Sequence, residues 1–450
     1  MDDFDILLKE KAQKERVDIP DSLEAKIMQT LNDLPQDRKI RKRSVIAVAV
    51  AVTLLMLPIM TVYSKDIALV SSIVEYFQGN SGQRYSNDAG LYEKYSIGVS
   101  KTISDNGVSV SIDSIACDDN FLVLFYTVEG DVEKTFKGRG EDTFPRSLFG
   151  QIIINGKEKS PSNNDSYNYD AYLTPEGRLK GMIRADISRD SLPSEFNIEF
   201  LANEICGKKG QWDFKLSVSK EAATKATKVV TVNKEAYIKY PTREHNIKIE
   251  KVSFTPFGNQ ILISEKYGST PKGEDRITFG DFALFDDQGN PVDVLPASIM
   301  GGVESVENSF EFIKCNKDSR FLTLVPVCHT DNAPEIPYNP AGVPIENLPI
   351  ELKLSSQGSL VIEKVDFSGI DTRVYYTKKG VVSPITGFFH LIDKNGQNIS
   401  AQARSIVDRE QGLYVDILPK LDSNEKYKIV YYTEGKFDLL YQYKIDIPLM

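Results

Sequence analysis

The sequence predicts a mostly β protein with a short helical N-terminal tail, one transmembrane helix and then tandem immunoglobulin-like antiparallel β-sandwich domains. Three observations predict it: a long uncharged run near the N-terminus, alternation of apolar and polar residues through most of the chain that follows, and one strand pattern that occurs three times. The chain has 450 residues, of which 41% are hydrophobic and 26% charged. This composition is typical of a chain that folds into about three domains.

The transmembrane helix is predicted over residues 44–64. These 21 residues carry no charge, and a helix of this length, at about 1.5 Å per residue, spans the ~30 Å hydrocarbon core of a bilayer. Pro58 lies in its second half and is expected to kink the helix rather than end it. A cleaved signal peptide is the alternative, but 43 residues precede the run and no A-x-A site follows it.

The charges that flank this run predict its orientation. Five of the six residues 38–43 are Lys or Arg, whereas Lys65 is the one base in the fifteen residues that follow the run. Because the basic flank of a transmembrane helix stays in the cytoplasm, we expect a cytoplasmic N-terminus and an extracellular region after Lys65. The predicted location is the cell membrane, where the bilayer itself is a partner of this single-pass chain.

The cytoplasmic segment, residues 1–43, is predicted to form two amphipathic helices. Asp21 and Glu24 form a capping box before the second helix, and Pro35 ends it. The apolar stripes are Phe4, Leu7 and Leu8 in the first helix and Leu23, Ile27, Leu31 and Leu34 in the second. A segment this short cannot enclose a core of its own, so we expect these stripes to bind a partner.

The charge of this segment indicates what the partner is like. Residues 1–37 hold ten acidic and five basic side chains. Anionic lipid repels an acidic helix, whereas a basic protein surface, such as the nucleic-acid-binding face of another protein, attracts it. The net charge of −10 opposes direct nucleic-acid binding by this chain. An inert tether stays open as the alternative.

The region after the run is predicted to begin with a juxtamembrane helix and a flexible polar stalk over residues 65–94 and to continue as strands. One apolar pattern recurs there: Val110, Ile112, Ile115 and Cys117 with Gly130; Ile247, Ile249, Val252 and Phe254 with Gly268; Leu360, Ile362, Val365 and Phe367 with Gly380. Tandem units of this size and strand content are typical of β-sandwiches. We therefore expect sandwich domains over 95–232, 233–357 and 358–450, the last being sandwich-like.

The sequence carries no common catalytic motif. It has no G-x-S-x-G, H-E-x-x-H, P-loop or complete G-x-G-x-x-G pattern, and it has three histidines. We therefore expect no enzyme activity, no cofactor and no metal site. The carboxylate pairs at 118–119, 274–275 and 286–287 lack calcium-loop spacing, which favours solvated turns over ion sites.

The four cysteines allow disulfide bonds but do not require them. Cys117 and Cys206 fall in the first predicted β domain, and Cys315 and Cys328 fall in the second. Bridges within each domain could form in an oxidising exterior. Cys117 also aligns with inward-facing positions of the other two repeats, so a free buried thiol is the alternative.

Two stretches carry a family resemblance: IPDSLEAKIMQTLNDLP at 19–35 and DNGVSVSIDSIACDDNFLVLFYTVEG at 105–130, with the basic flank and apolar run between them. Together they resemble the single-pass anti-sigma-factor-like membrane proteins of Gram-positive bacteria, which are encoded beside extracytoplasmic-function sigma factors. The resemblance implies that the cytoplasmic helices sequester a sigma factor and that the exported domains sense an envelope condition through a ligand or protein of unknown identity. The tail lacks the His and Cys-x-x-C cluster of zinc-type anti-sigma factors, so no zinc ligands are carried over.

A second class of function is open from the sequence. A surface-displayed binding or adhesion protein, tethered by a single transmembrane helix, would have the same span and the same β domains. The two classes differ in what the tail does, because only a regulator needs the tail to alter transcription.

Overall fold

The structure is a computed structural model of the chain. It describes residues 73, 75–77, 89–130, 150–159, 167–174, 176–240, 244–266, 279, 281–301, 305–329, 341–368, 371–382, 388–401, 403–432 and 437–450, which all belong to the unit Lys65–Met450. The predicted transmembrane helix over 44–64 and the predicted partner-binding residues Phe4, Leu7, Leu8, Leu23, Ile27, Leu31 and Leu34 lie outside the described residues. Within the ranges just given, no helix is long and apolar enough to cross a membrane.

Strands make up most of the described chain. The elements of the first part are α1 Ala89–Tyr95, β1 Ser96–Asp105, β2 Val108–Cys117, β3 Phe121–Gly130, β4 Gln151–Ile154, β5 Lys157–Lys159, β6 Tyr167–Leu173, β7 Leu179–Asp186, β8 Glu195–Ile205 and β9 Lys208–Ser219. Those of the second part are α2 Glu221–Thr224, β10 Lys228–Lys239, β11 Glu244–Phe254, β12 Asn259–Lys266, β13 Phe282–Phe285, β14 Pro291–Gly301, β15 Ser305–Ile313 and β16 Phe321–His329.

The last part of the chain continues with short strands and two 3₁₀ helices. Its elements are β17 Val343–Pro344, the 3₁₀ helix Ile345–Asn347, β18 Ile350–Lys353, β19 Gly358–Asp366, β20 Thr372–Gly380, β21 Phe389–Ile392, β22 Asn398–Ile399, β23 Ala403–Asp408, β24 Leu413–Leu418, β25 Lys428–Tyr431, β26 Phe437–Leu439, the 3₁₀ helix Tyr441–Tyr443 and β27 Ile445–Pro448. The paired strands are antiparallel throughout the registers of the described residues. The prediction of a mostly β fold is therefore confirmed.

The first sandwich packs two sheets face to face. One sheet has the order β1-β2-β3-β7-β6 and the other β5-β4-β8-β9. Trp212, Phe214 and Leu216 of β9 are buried, and polar residues alternate with them, because successive side chains of a strand point to opposite faces. The Trp212 indole N–H donates to the Val108 carbonyl at 3.1 Å, which ties the two sheets together inside the core.

The second sandwich is one long sheet that folds over itself. Its order is β10-β11-β12-β15-β14-β13-β16-β26, and β27 also pairs with β16. β14 pairs with β13 at its start and with β15 along the rest of its length, so this strand joins the two faces. Ile249 and Ile263 from one face and Leu324 and Ile447 from the other belong to the same buried core.

The third sandwich has the sheets β18-β19-β20-β24-β23 and β17-β25-β21-β22. It begins earlier than the predicted boundary at 358, because β17 and β18 belong to its sheets. It also ends earlier than residue 450. β26 and β27 leave it and pair with β16 of the second sandwich, so the C-terminal segment that we expected in the third domain completes the second.

The three repeated patterns form the same hairpin in each sandwich. They lie on β2–β3, β11–β12 and β19–β20. The strand register shifts by one residue between Ile112 and Ser114, between Ile249 and Lys251, and between Ile362 and Lys364. This bulge explains the three-residue step inside each repeat, since one extra residue returns the next apolar side chain to the core face.

Candidate functional site: the junction around Phe257

A turn of the second sandwich inserts against the first. Residues 255–258, here called the Phe257 turn, connect β11 to β12, and Phe257 is 1% exposed. Gly258 has a φ of +154°, and a Cβ at this position would lie 2.6 Å from Glu311 Oε1 and 2.7 Å from Arg184 Nη2. Only glycine lets the turn approach the surrounding charged groups this closely.

The backbone of the turn is bound by Asp118, which is 0% exposed. Its Oδ2 accepts the Phe257 N–H at 2.8 Å, and its Oδ1 accepts the N–H groups of Asn120 and Phe121, both at 2.8 Å. Burial raises the pKa of Asp118, and these N–H donors oppose that rise. We expected a solvated turn at 118–119, and this was wrong for Asp118, because backbone donors from two sandwiches take the place of water.

A buried ion pair lies on the other side of the turn. Arg184 of β7 is 1% exposed, and its Nη1 and Nη2 each lie 3.2 Å from a carboxylate oxygen of Glu311 on β15. Arg184 Nη2 also donates to the Phe257 carbonyl at 2.7 Å, and Arg409, which follows β23, donates to the same oxygen at 2.8 Å. One carbonyl of the second sandwich thus binds a guanidinium from the first and another from the third.

Further polar contacts surround this centre. Asn120 donates from its side-chain amide to the Gly258 carbonyl at 2.7 Å and accepts from the Ser253 hydroxyl at 2.8 Å. Asp186 at the end of β7 accepts from the Ser309 hydroxyl at 2.6 Å. These bonds replace water for polar groups that the junction buries, as buried polar groups require.

The Phe257 ring continues into an aromatic stack. It lies 4.7 Å from the Tyr92 ring at an interplanar angle of 4°, and Tyr92 lies 5.6 Å from Phe77 at 24°. Phe77 belongs to a helical stretch whose described residues are Ile73, Glu75, Tyr76 and Phe77, here called the Tyr76 segment. This segment begins nine residues after Ser64 in the sequence, so the stack runs from the second sandwich to the chain that follows the apolar run.

Two cations on the first sandwich bind the Tyr76 segment. Glu75 Oε2 lies 2.6 Å from Lys180 Nζ, and Glu75 Oε1 lies 3.3 Å from Arg178 Nη2. Asp113, on the same sheet, accepts a hydrogen bond from the Thr127 hydroxyl at 2.7 Å. Burial raises the pKa of Asp113 to about 6; Thr127 and Lys180 oppose the rise, and Glu75 adds to it.

The predicted flexible stalk is partly wrong. We expected the second part of residues 65–94 to be a flexible polar stalk, but residues from Ala89 onward form α1, and Tyr92 is fully buried. The reason is that Tyr92 stacks between Phe77 and Phe257, and the polarity of the neighbouring residues does not reveal a partner as distant in the sequence as Phe257.

Neither of the two possible disulfides forms, and all four cysteines are free thiols. Cys117 is the last residue of β2, whereas Cys206 lies in the turn between β8 and β9. This turn lies near the start of β2, because Asn106, just before β2, donates to the Lys209 carbonyl at 3.0 Å. At about 3.3 Å per residue, the length of β2 separates Cys117 from that end by roughly 30 Å.

The second pair is separated in the same way. Cys315 precedes the turn that leads into β16, and Cys328 lies near the far end of that strand. Seven residues of strand separate the start of β16 from Cys328, which is roughly 23 Å. Bridged cysteines have Cα atoms less than about 7 Å apart, so the free buried thiol is the alternative that fits Cys117.

The described side chains offer no evident catalytic chemistry at this junction. In the part of the chain that the structure describes, no three His, Cys, Asp or Glu residues are placed to hold a metal ion. The arrangement can couple the positions of the sandwiches to that of the Tyr76 segment. Buried groups from three sandwiches bind the Phe257 turn, and the Phe257 ring stacks toward this segment.

Apart from Asp118, the residues of this junction were not singled out from the sequence. A partial signal was present for Arg184, which stands between Ile183 and Ala185 in β7, and the structure buries this strand from Leu179 to Ala185. A charged residue inside a fully buried strand requires a partner, but the sequence does not say which one. Phe257 and Arg409 carried no such signal.

Comparison with known proteins adds two families without assigned function. Residues 36–130 match a domain of unknown function, DUF4179, and residues 227–352 match a family of unknown function, DUF5643. Asp118 lies in the first stretch, Phe257 and Glu311 lie in the second, and Arg184 lies in neither. No curated protein matches the chain.

Two solved structures show limited similarity. A conserved domain protein from Bacillus anthracis is 15% identical, with a TM-score of 0.42, over 84% of this chain and 98% of that chain. The N-terminal eight immunoglobulin domains of Down syndrome cell adhesion molecule isoform 1.30.30 are 10% identical, with a TM-score of 0.16, over 77% of this chain and 43% of that chain. Neither similarity adds to the functional argument.

Proposed function

We propose that this chain is a membrane-anchored, anti-sigma-factor-like regulator. Residues 44–64 cross the membrane, the cytoplasmic helices sequester a sigma factor, and the β-sandwiches sense an envelope condition outside. We describe the three sandwiches as immunoglobulin-like within this proposal, since each is an antiparallel unit of about one hundred residues.

The observation that carries the proposal is the aromatic stack from Phe257 through Tyr92 to Phe77. A tether needs no ordered contact between its exported domains and the residues that follow its span. A regulator does, because a change among the domains has to move the chain that enters the membrane. The Tyr76 segment meets this requirement, since aromatic burial and the Glu75 ion pairs both bind it to the first sandwich.

The tail supports the same proposal from the sequence side. Its ten acidic and five basic side chains over residues 1–37 suit a basic partner surface, and its apolar stripes need a partner to be buried. A sigma factor has such a basic face because it binds promoter DNA.

The test uses full-length protein in the membrane of a Gram-positive host, with transcription from the promoters of a co-expressed extracytoplasmic-function sigma factor as the readout. Ile27→Asp places a charge in the predicted stripe and should release the sigma factor and raise transcription. Phe257→Ala removes the ring from the stack and should change transcription at the same promoters without loss of membrane insertion.

A matched control variant introduces the same negative charge at another position of the predicted helix. Gln29→Asp adds the same charge two residues away, on the opposite side of the predicted helix, and should leave transcription unchanged. If Ile27→Asp and Phe257→Ala both leave transcription unchanged while the protein is inserted, the regulator is excluded. A tethered binding or adhesion protein is then the better description.

A further inference from the structure

We propose that docking of the Tyr76 segment on the first sandwich takes up a proton at Asp113, so that the segment is held more tightly in mildly acidic than in neutral solution. If pH-dependent docking serves as a signal, that role rests on the proposed function. The pH dependence of docking itself does not, because the Tyr76 segment and the face that binds it both lie outside the predicted membrane span.

Glu75 of the segment binds a buried ammonium of the first sandwich, and Asp113 lies two strands from that ammonium in the same sheet. Lys180 is 5% exposed at its side chain, and its Nζ lies 2.6 Å from Glu75 Oε2. Asp113 lies on β2 of the same sheet, and its bond to the Thr127 hydroxyl joins it to the residue that pairs with Lys180 across β3 and β7. When the segment docks, it therefore brings the Glu75 carboxylate toward a face that already carries the Asp113 carboxylate.

Docking is easier when Asp113 is neutral. With both carboxylates ionised, they repel each other and both attract Lys180. A proton taken from solvent onto a carboxylate oxygen of Asp113 removes this repulsion. Asp113 then no longer competes with Glu75 for the Lys180 ammonium. By linkage, a docked state that favours protonated Asp113 becomes more populated as the pH falls.

The other charged groups around Asp113 come from three elements. Arg178, just before β7, acts on it and also binds Glu75 and Glu176. On β3, Glu129 lies two residues beyond Thr127 and is exposed. On α1, which packs on β2, Glu93 and Lys94 are the charged side chains. The pKa of Asp113 near 6, which burial raises and Glu75 raises further, agrees with this arrangement.

The experiment measures docking directly. Full-length protein in lipid nanodiscs is followed by hydrogen–deuterium exchange of the peptide containing residues 73–77, with exchange times corrected for the intrinsic effect of pH. We expect protection of this peptide to be higher near pH 5 than near pH 7.5 in the wild type, by about twofold or more, because Glu75 supplies part of the rise in the pKa of Asp113.

Two variants and a control make the result specific. Asp113→Asn should remove the pH dependence and keep the peptide protected at neutral pH. Glu75→Gln should reduce both the protection and its pH dependence. Glu129→Gln, which removes an exposed carboxylate of β3, should behave as the wild type does.

Two results would overturn the proposal: equal protection of the wild type at both pH values, or a wild-type pH dependence that persists in Asp113→Asn. Because the readout is exchange in purified protein, it does not depend on a sigma factor. A pH-dependent segment together with unchanged transcription would reject the regulatory function and leave this inference intact.

Discussion

The junction between the first and second sandwiches and the junction between the second and third each contain a buried carboxylate, but they are built differently. At the first, Asp118 accepts backbone N–H groups of both sandwiches. At the second, Asp293 accepts from the Tyr414 hydroxyl at 3.0 Å and from the Lys314 ammonium at 3.3 Å. The chain also crosses the second junction twice, because it leaves the second sandwich after β16 and returns to it in β26 and β27.

This difference decides which junction can respond to a signal. Two chain connections restrict how far the second and third sandwiches can move apart, whereas one connection, through α2, joins the first sandwich to the second. The first junction is held mainly by side chains, both around the Phe257 turn and from Arg189 to Glu250 and the Asn308 carbonyl, so it can rearrange without unfolding either sandwich. The Tyr76 segment packs at this first junction, in the same cluster as Phe257.

The largest expected effect comes from removing one partner of the buried ion pair at the first junction. Glu311→Ala leaves the Arg184 guanidinium buried without its carboxylate, and such losses cost about 3–5 kcal/mol of unfolding free energy. Urea unfolding of full-length protein in detergent, followed by Trp212 fluorescence, measures it, since Trp212 is the one tryptophan and lies in the first sandwich.

The double variant Arg184→Met with Glu311→Leu is the matched comparison. It replaces both charges with apolar side chains of similar size, which is often neutral for stability. We expect it to regain most of the loss. If the double variant is as unstable as Glu311→Ala, the cost does not come from leaving one charge unpaired, and the junction instead requires both charged side chains.

An intermediate effect is expected at the second junction. Asp293→Asn weakens the bonds from Tyr414 and Lys314 at a buried site, at a cost of about 2 kcal/mol. Far-ultraviolet circular dichroism should show earlier unfolding, while the Trp212 transition stays where it is. A shift of the Trp212 transition of the same size would contradict the separation of the two junctions.

The smallest effect is a gain in stability. Because the folded pKa of Asp113, about 6, exceeds its usual 3.8, the native state binds more protons than the unfolded state between these values. Stability therefore falls as the pH rises from about 4 to about 6 and stays lower above that. At neutral pH, Asp113→Asn should recover about 1 kcal/mol, reduced from the full shift by partial solvent access.

Urea unfolding at several pH values, followed by Trp212, measures this gain. The wild-type and Asp113→Asn curves should converge as the pH falls to about 3, below both pKa values, because Asp113 is then mostly protonated in both states. As a control, Lys394→Gln breaks an exposed pair with Glu425 on the third sandwich and should leave the Trp212 transition unchanged. A constant difference between the curves across the pH range would contradict the assignment to Asp113.

Much of the fold could be predicted from the sequence because its evidence is local. Trp212 and Phe214 alternate with polar residues over β9, and the Asn155-Gly156 pair adopts the positive φ values, 48° and 75°, that a tight hairpin turn requires. Alternation, turn residues and repeated spacing act within a few neighbours, so they can be recognised along one strand.

The sequence by itself determined the strands, the turns and the threefold repeat of this protein, because each depends on the spacing of neighbouring residues. Only the tertiary structure decided that Asp118 is buried, that Tyr92 is stacked and that the C-terminal strands complete the second sandwich. The physical reason is that each depends on a partner more than one hundred residues away, whose identity no local pattern carries.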